Sequence, residues 1–107
     1  MKYYLIAGEA SGDLHGGRLV QAIRDKDPDA VIQAWGGDQM EQAGANLVKH
    51  YRDLAFMGFI EVVKNLPTIL RNIRFCKKDI SAFNPDVLVL IDYPGFNLAI
   101  APWAKKQ

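Results

Sequence analysis

An α/β fold, a Rossmann-like parallel sheet with flanking helices, is the expectation for this chain, and three observations carry it. Four short apolar segments alternate with helical ones in the order βαβαβαβ, which implies parallel strands joined by right-handed crossovers. The first segment ends in a glycine-punctuated loop, Ile6-Ala7-Gly8-Glu9-Ala10-Ser11-Gly12-Asp13, that runs straight into a helical pattern. The last reads Asp-Val-Leu-Val-Leu-Ile-Asp over 86–92, the continuous apolar run of a strand buried on both faces.

Taken in order, residues 3–7 predict the first strand. Asp13 is placed to N-cap a helix that runs to about Lys26, with Leu14, Leu19, Val20 and Ile23 at helical spacing. Asp27-Pro28-Asp29 stops that helix. Residues 30–35 predict a second strand ending in Gly36-Gly37-Asp38, followed by a short helix over 39–43 that stops at Gly44. A weaker third strand is expected over 46–49. A long helical region over 61–83 is interrupted at Pro67 and ended by Asn84-Pro85, ahead of the fourth strand. Residues 97–107 have a helical pattern with Pro102 inside it, so the helix either kinks or starts near that proline. With no closing strand after it, the chain reads as an incomplete piece of something larger.

The 107 residues are 50% hydrophobic and 23% charged, which suits one folded unit and excludes a disordered or fibrous chain. A net charge of +1 offers no argument for nucleic acid as a partner. The single cysteine, Cys76, cannot form an internal disulfide, fits a reducing compartment and is most simply a packed thiol. Met1-Lys2 leads into an apolar run too short for a signal peptide, and no stretch nears the ~18 apolar residues that cross a bilayer. Any membrane contact is therefore expected to be peripheral. His15 and His50 lack the partners of a metal site, and neither a metal nor a cofactor is expected.

Three features carry chemistry. The first loop matches neither Gly-x-Gly-x-x-Gly nor a Walker A sequence, and Glu9 and Asp13 would repel a phosphate. Two readings fit: a loop that accepts protons from ligand hydroxyls, or a tight turn built on Gly8 and Gly12. Asp92 ends the fourth strand ahead of Tyr93-Pro94-Gly95, either as a general base whose pKa partial burial would raise or as a cap on the next helix. Residues 57–78 hold more apolar residues than one buried stripe needs, followed by Arg71, Arg74, Lys77 and Lys78. That pattern suits a helix lying on an anionic membrane surface or gripping an acyl chain, and equally a core stripe with a solvated back.

Together these pieces resemble one family. The carriers are Ala-Gly-Glu-Ala-Ser-Gly-Asp at 7–13, Trp-Gly-Gly-Asp-Gln-Met at 35–40, Ala-Phe-Met-Gly-Phe-Ile-Glu-Val-Val at 55–63, and Pro-Asp-Val-Leu-Val-Leu-Ile-Asp-Tyr-Pro-Gly-Phe-Asn-Leu at 85–98. In that order and over nearly the whole chain, they look like the N-terminal part of lipid-A-disaccharide synthase. The resemblance implies an inverting glycosyltransferase of the GT-B plan, with residues 1–107 as a truncated acceptor-side domain and the UDP-sugar-binding domain absent. It implies a UDP-2,3-diacylglucosamine donor, a 2,3-diacylglucosamine 1-phosphate acceptor, and a lipid A disaccharide 1-phosphate product with release of UDP. It implies Asp92 as the general base that deprotonates the acceptor 6-hydroxyl. Substrate-binding positions would be Gly8, Glu9, Ser11, Gly12, Asp13, Met57, Gly58, Glu61 and Asn97. Phe59, Ile60, Val62, Val63, Leu66, Ile69 and Leu70 would meet acyl chains and the cytoplasmic face of a Gram-negative inner membrane. The fragment alone is expected to be inactive, because it covers only about the first third of a two-domain enzyme with a cleft between its domains. Its uncovered inter-domain face could join a second copy. Two other classes also suit the pattern: a flavodoxin-like nucleotide-binding module and a non-catalytic interaction domain.

Overall fold

The computed structural model describes residues 1–54, 66–91 and 94–106. In chain order these form β1 (Lys2–Ala7), α1 (Ala10–Lys26), β2 (Val31–Gly36), α2 (Asp38–Gln42), β3 (Asn46–His50) and a short 3-10 turn (Tyr51–Leu54). They continue with α3 (Leu66–Phe83), β4 (Val87–Ile91) and α4 (Pro94–Lys105). The four strands form one parallel sheet in the order β3-β2-β1-β4, and the Rossmann-like α/β expectation holds.

β1 lies between β2 and β4, and its last four residues, Tyr4 to Ala7, are fully buried. Because strand side chains alternate, those four residues feed two cores. Leu5 and Ala7 join Val20, Ile32, Ala34 and Met40 on the side covered by α1 and α2. Tyr4 and Ile6 join Trp35, Cys76, Ile80, Phe96 and Ile100 on the side covered by α3 and α4. Helices on both faces are what allow β1 to bury every side chain from Tyr4 to Ala7.

β4 departs from expectation. Its residues do face both cores, Leu88 and Leu90 on one side and Val89 and Ile91 on the other. Yet all five are only half-buried, since β4 pairs with β1 and stands at an edge of the described sheet. An apolar run records what faces the strand; it carries no information about which strands flank it.

Helix boundaries shift for local reasons. α1 starts at Ala10 behind an extended Glu9 whose side chain makes no capping bond, three residues before the predicted cap at Asp13. α4 starts at Pro94, where the fixed φ of proline suits the first helical position and its missing N–H costs nothing. It continues through Pro102, so the helix does not start near that proline. The carbonyl that Pro102 leaves unpaired belongs to Leu98, and both residues are exposed, so water can reach it. Pro67 lies within α3, and residues 61–65 of the expected helical region lie outside the described residues. Gly44, at φ +114°, turns the chain after α2 into β3, as its C′ placement requires. Asn84, at φ 53°, does the same after α3.

The α3/α4 core holds one buried polar chain. The Trp35 indole N–H donates to Tyr4 Oη at 2.8 Å, and the Tyr4 hydroxyl donates to Asp79 Oδ2 at 2.7 Å. Burial first, then the bond to Asp79, pushes the Tyr4 hydroxyl well above its ordinary range. Burial pushes the neighbouring Cys76 thiol up to about 12, which leaves it a packed and unreactive side chain.

Candidate functional site

In a parallel sheet with helices on both faces, ligands gather at the carboxyl ends of the strands. Here β1 and β4 end side by side, with Ala7 opposite Ile91, while Ile6 stands opposite Trp35 of β2. The loop at Gly8–Glu9 therefore opens between the ends of β2 and β4. Asp92 follows Ile91 directly in the chain and lies outside the described residues.

The two carboxylates of the first loop do different things. Glu9 is exposed, and the Ser11 hydroxyl donates to its Oε1 at 3.0 Å. Asp13, only 3% exposed, turns away from that role. Its Oδ1 accepts from the backbone N–H of Gly37 at 2.8 Å and of Met40 at 3.0 Å, and its Oδ2 accepts from Gln39 N–H at 3.0 Å. Asp13 thus caps α2, across the sheet edge, and not its own helix. The expectation that Asp13 caps α1 is corrected, and its oxygens are committed to three amides. The close fit explains nearby glycines: a Cβ on Gly37 would meet the Tyr51 ring and lie 2.7 Å from Asp13 Oδ2. A Cβ on Gly12 would lie 3.1 Å from Ala7 Cβ and 3.6 Å from Ile91 Cγ2.

A second cluster lies at the ends of β2 and β3, and the sequence reading missed it. His50 Nε2 lies 3.1 Å from Asp38 Oδ1, while Arg52 N–H donates to His50 Nδ1 at 3.1 Å. With Nδ1 accepting from Arg52, the tautomer that completes both contacts carries its proton on Nε2, facing Asp38. The Tyr51 ring packs against it with centroids 4.6 Å apart and a tilt of 37°, and the Arg52 guanidinium approaches Asp38 Oδ2 at 3.7 Å from an exposed position. The one available signal was Gly36-Gly37-Asp38, a second glycine-to-acid strand ending like the first. Among the described residues no three His, Cys, Asp or Glu side chains stand together to hold a metal.

Asn97 is the fourth residue of α4 and is 8% exposed. Its Oδ1 is buried without a hydrogen-bond partner, a state that costs about 1–3 kcal/mol. Leu66 and Leu70, one helical turn apart on α3, are each about half exposed, and Ile69 between them is partly buried. They border a shallow hollow of about 350 Å³ with Pro67, Arg71 and Arg74. A wider hollow of about 650 Å³ follows along the helix, with Arg71, Arg74, Lys77 and Lys78 around Phe75 and Trp103. No described helix is long and apolar enough to cross a membrane. Met57, Gly58, Phe59, Ile60, Glu61, Val62 and Val63 lie outside the described residues.

Comparisons with known proteins agree with the motifs. A family model described as lipid-A-disaccharide synthetase matches residues 3–107. A lipid-A-disaccharide synthase of Xylella fastidiosa is 45% identical over 104 residues, covering 96% of this chain and 27% of that protein. Those of Xanthomonas campestris pv. campestris and Chromohalobacter salexigens are 42% and 40% identical, covering 96% and 94% of this chain. The chain spans about a quarter of the length of the curated relatives it matches. With a match over almost every residue, and with a parallel sheet that brings the ends of β1 and β4 together, the chain belongs to the lipid-A-disaccharide synthetase family.

Proposed function

We propose that this chain is the acceptor-side, N-terminal part of an inverting GT-B glycosyltransferase that joins UDP-2,3-diacylglucosamine to 2,3-diacylglucosamine 1-phosphate. In this reading the Asp92 carboxylate takes the proton from the acceptor 6-hydroxyl as that oxygen attacks the donor anomeric carbon. The bond from that carbon to the UDP oxygen breaks, UDP leaves, and the product is lipid A disaccharide 1-phosphate. The observation that supports the reading is the β1–β4 register, Ala7 against Ile91, because it ends the two strands side by side at the carboxyl edge, next to the Gly8–Glu9 loop. Glu9, exposed and not neutralised by backbone amides, is suited to accept sugar hydroxyl protons. Asp13 contributes by holding the β2–α2 loop and leaves Glu9 as the free charge there.

A second domain supplies the UDP-sugar site, so the 107 residues alone do not turn over. α3 meets the inner face of the inner membrane: Leu66, Ile69 and Leu70 enter its apolar boundary and the adjoining Arg and Lys side chains meet anionic headgroups. The uncovered inter-domain face is also where two copies of the isolated chain would associate. The test is turnover of the two acylated sugars by the full-length protein and its Asp92→Asn variant. Loss of a general base is expected to slow turnover by about 10²–10⁴-fold. A variant working at the wild-type rate would remove Asp92 from the chemistry.

A further inference from the structure

We propose that the open side of β4 is a docking edge for one further parallel strand, supplied in the full-length protein by the chain that follows α4. The two ends of the sheet are built differently. β3, at one end, carries Lys49 and His50, and it meets β2 through a register shift at Ala34/Trp35. Charges and bulges are how natural proteins keep a permanent edge from pairing. β4, at the other end, reads Val-Leu-Val-Leu-Ile, without charge or proline and in unbroken register with β1. No described strand pairs with its other side, and all five residues are only half-buried. A hollow of about 420 Å³ lies alongside, bordered by Ile80 of α3, Leu88 of β4, and Trp103 and Ala104 of α4.

The hand of the connections selects the occupant. α1 leads from β1 to β2 and α2 from β2 to β3, and both cover the face of Leu5, Ile32 and Ala34. α3 leads from β3 to β4, the opposite way along the sheet, and covers the face of Tyr4 and Ile6. On one face the chain steps toward β3 and on the other toward β4, as a single crossover hand requires. α4 follows β4 on the second face, with Phe96 and Ile100 in one core with Cys76 and Ile80. A connection of the same hand steps from there beyond β4, to the side that is open. This chain spans about a quarter of the length of its curated relatives, which leaves ample chain for such a strand. Connections from a helix to the next strand run to about 2–6 residues, so the strand begins within about ten residues of Lys105. Its side chains toward α4 are apolar, because that helix covers them. Being parallel, it ends at the same carboxyl edge as β1 and β4 and adds residues to the mouth of the site.

Residue-resolved amide exchange in the full-length protein tests this. A strand bonded on one side alternates along its length, since every second N–H points to its partner and those between point away. Docking on the second side makes all the amides of residues 87–91 slow, the outward ones by at least about tenfold relative to an unbonded edge. Amide-to-amide proton contacts across that edge then identify the neighbour, which is expected just after α4. Alternating fast and slow exchange over 87–91 overturns the inference. Protection that vanishes on dilution also overturns it, by assigning the edge to a second copy. A neighbour from any other part of the chain does the same.

Discussion

Two buried polar side chains sit near the same edge of the sheet and are treated in opposite ways. Around Asp13 every oxygen is used, and glycines let α1, the β2–α2 loop and Tyr51 approach without room for a methyl group. Around Asn97 a carbonyl oxygen is buried with nothing to accept from, on a helix whose next residue, Leu98, is 72% exposed. In the first region the fold itself satisfies the buried charge, and in the second it leaves one buried oxygen unsatisfied. The lesson is that burial alone does not rank polar residues for function. What separates them is whether the fold itself supplies their partners.

The comparison breaks most sharply at Asp13. Asp13→Ala leaves three backbone N–H groups without an acceptor, two of them in buried bonds. The expected loss is about 2–4 kcal/mol, at the low end of the sum for such bonds, and a large part of a small domain's stability. Urea unfolding measures it, and an unchanged midpoint would return Asp13 to the ligand-binding loop.

A pH-dependent effect sharpens the contrast on the α3/α4 side, where the core is closed around Cys76. Its pKa is raised by burial from 9.0 to about 12, so between those values the unfolded chain has lost a proton that the folded chain keeps. Stability is therefore fully present below about pH 9 and falls as pH rises, with a slope of up to about 1.4 kcal/mol per unit from this group. In Cys76→Ala that part of the alkaline slope should disappear. An identical slope in both proteins would show that the thiol is not closed off.

The smallest stability effect is expected at the exposed end of α3. Leu66→Asp with Leu70→Asp should change stability by no more than about 0.5 kcal/mol per site, because both side chains are half exposed already. Flotation of the full-length protein with anionic vesicles should nevertheless drop. Retained flotation would assign membrane contact to another surface.

Much of this molecule is written in local chemistry. The apolar runs at β1, β2 and β4, the breaks at Pro28, Gly44 and Asn84, and the glycine loops after β1 and β2 each act within a few residues, so they can be read one segment at a time. A helix starting only near Pro102 was the wrong alternative because a proline's cost depends on whether its missing N–H was needed and whether the freed carbonyl reaches water. The His50–Asp38–Arg52 cluster gave little sign because its members come together only when β2 and β3 pair.

Periodicity and punctuation thus settled that strands and helices alternate, and nearly where each begins, since a residue's backbone preference and its neighbours' polarity are properties of the chain. Folding in three dimensions settled which carboxylate is free. Glu9 and Asp13 look alike along the sequence, yet one faces solvent and the other is bound by amides 24 to 27 residues away. Partners at that distance exist only after β1 and β2 have paired, and electrostatic role follows from partners.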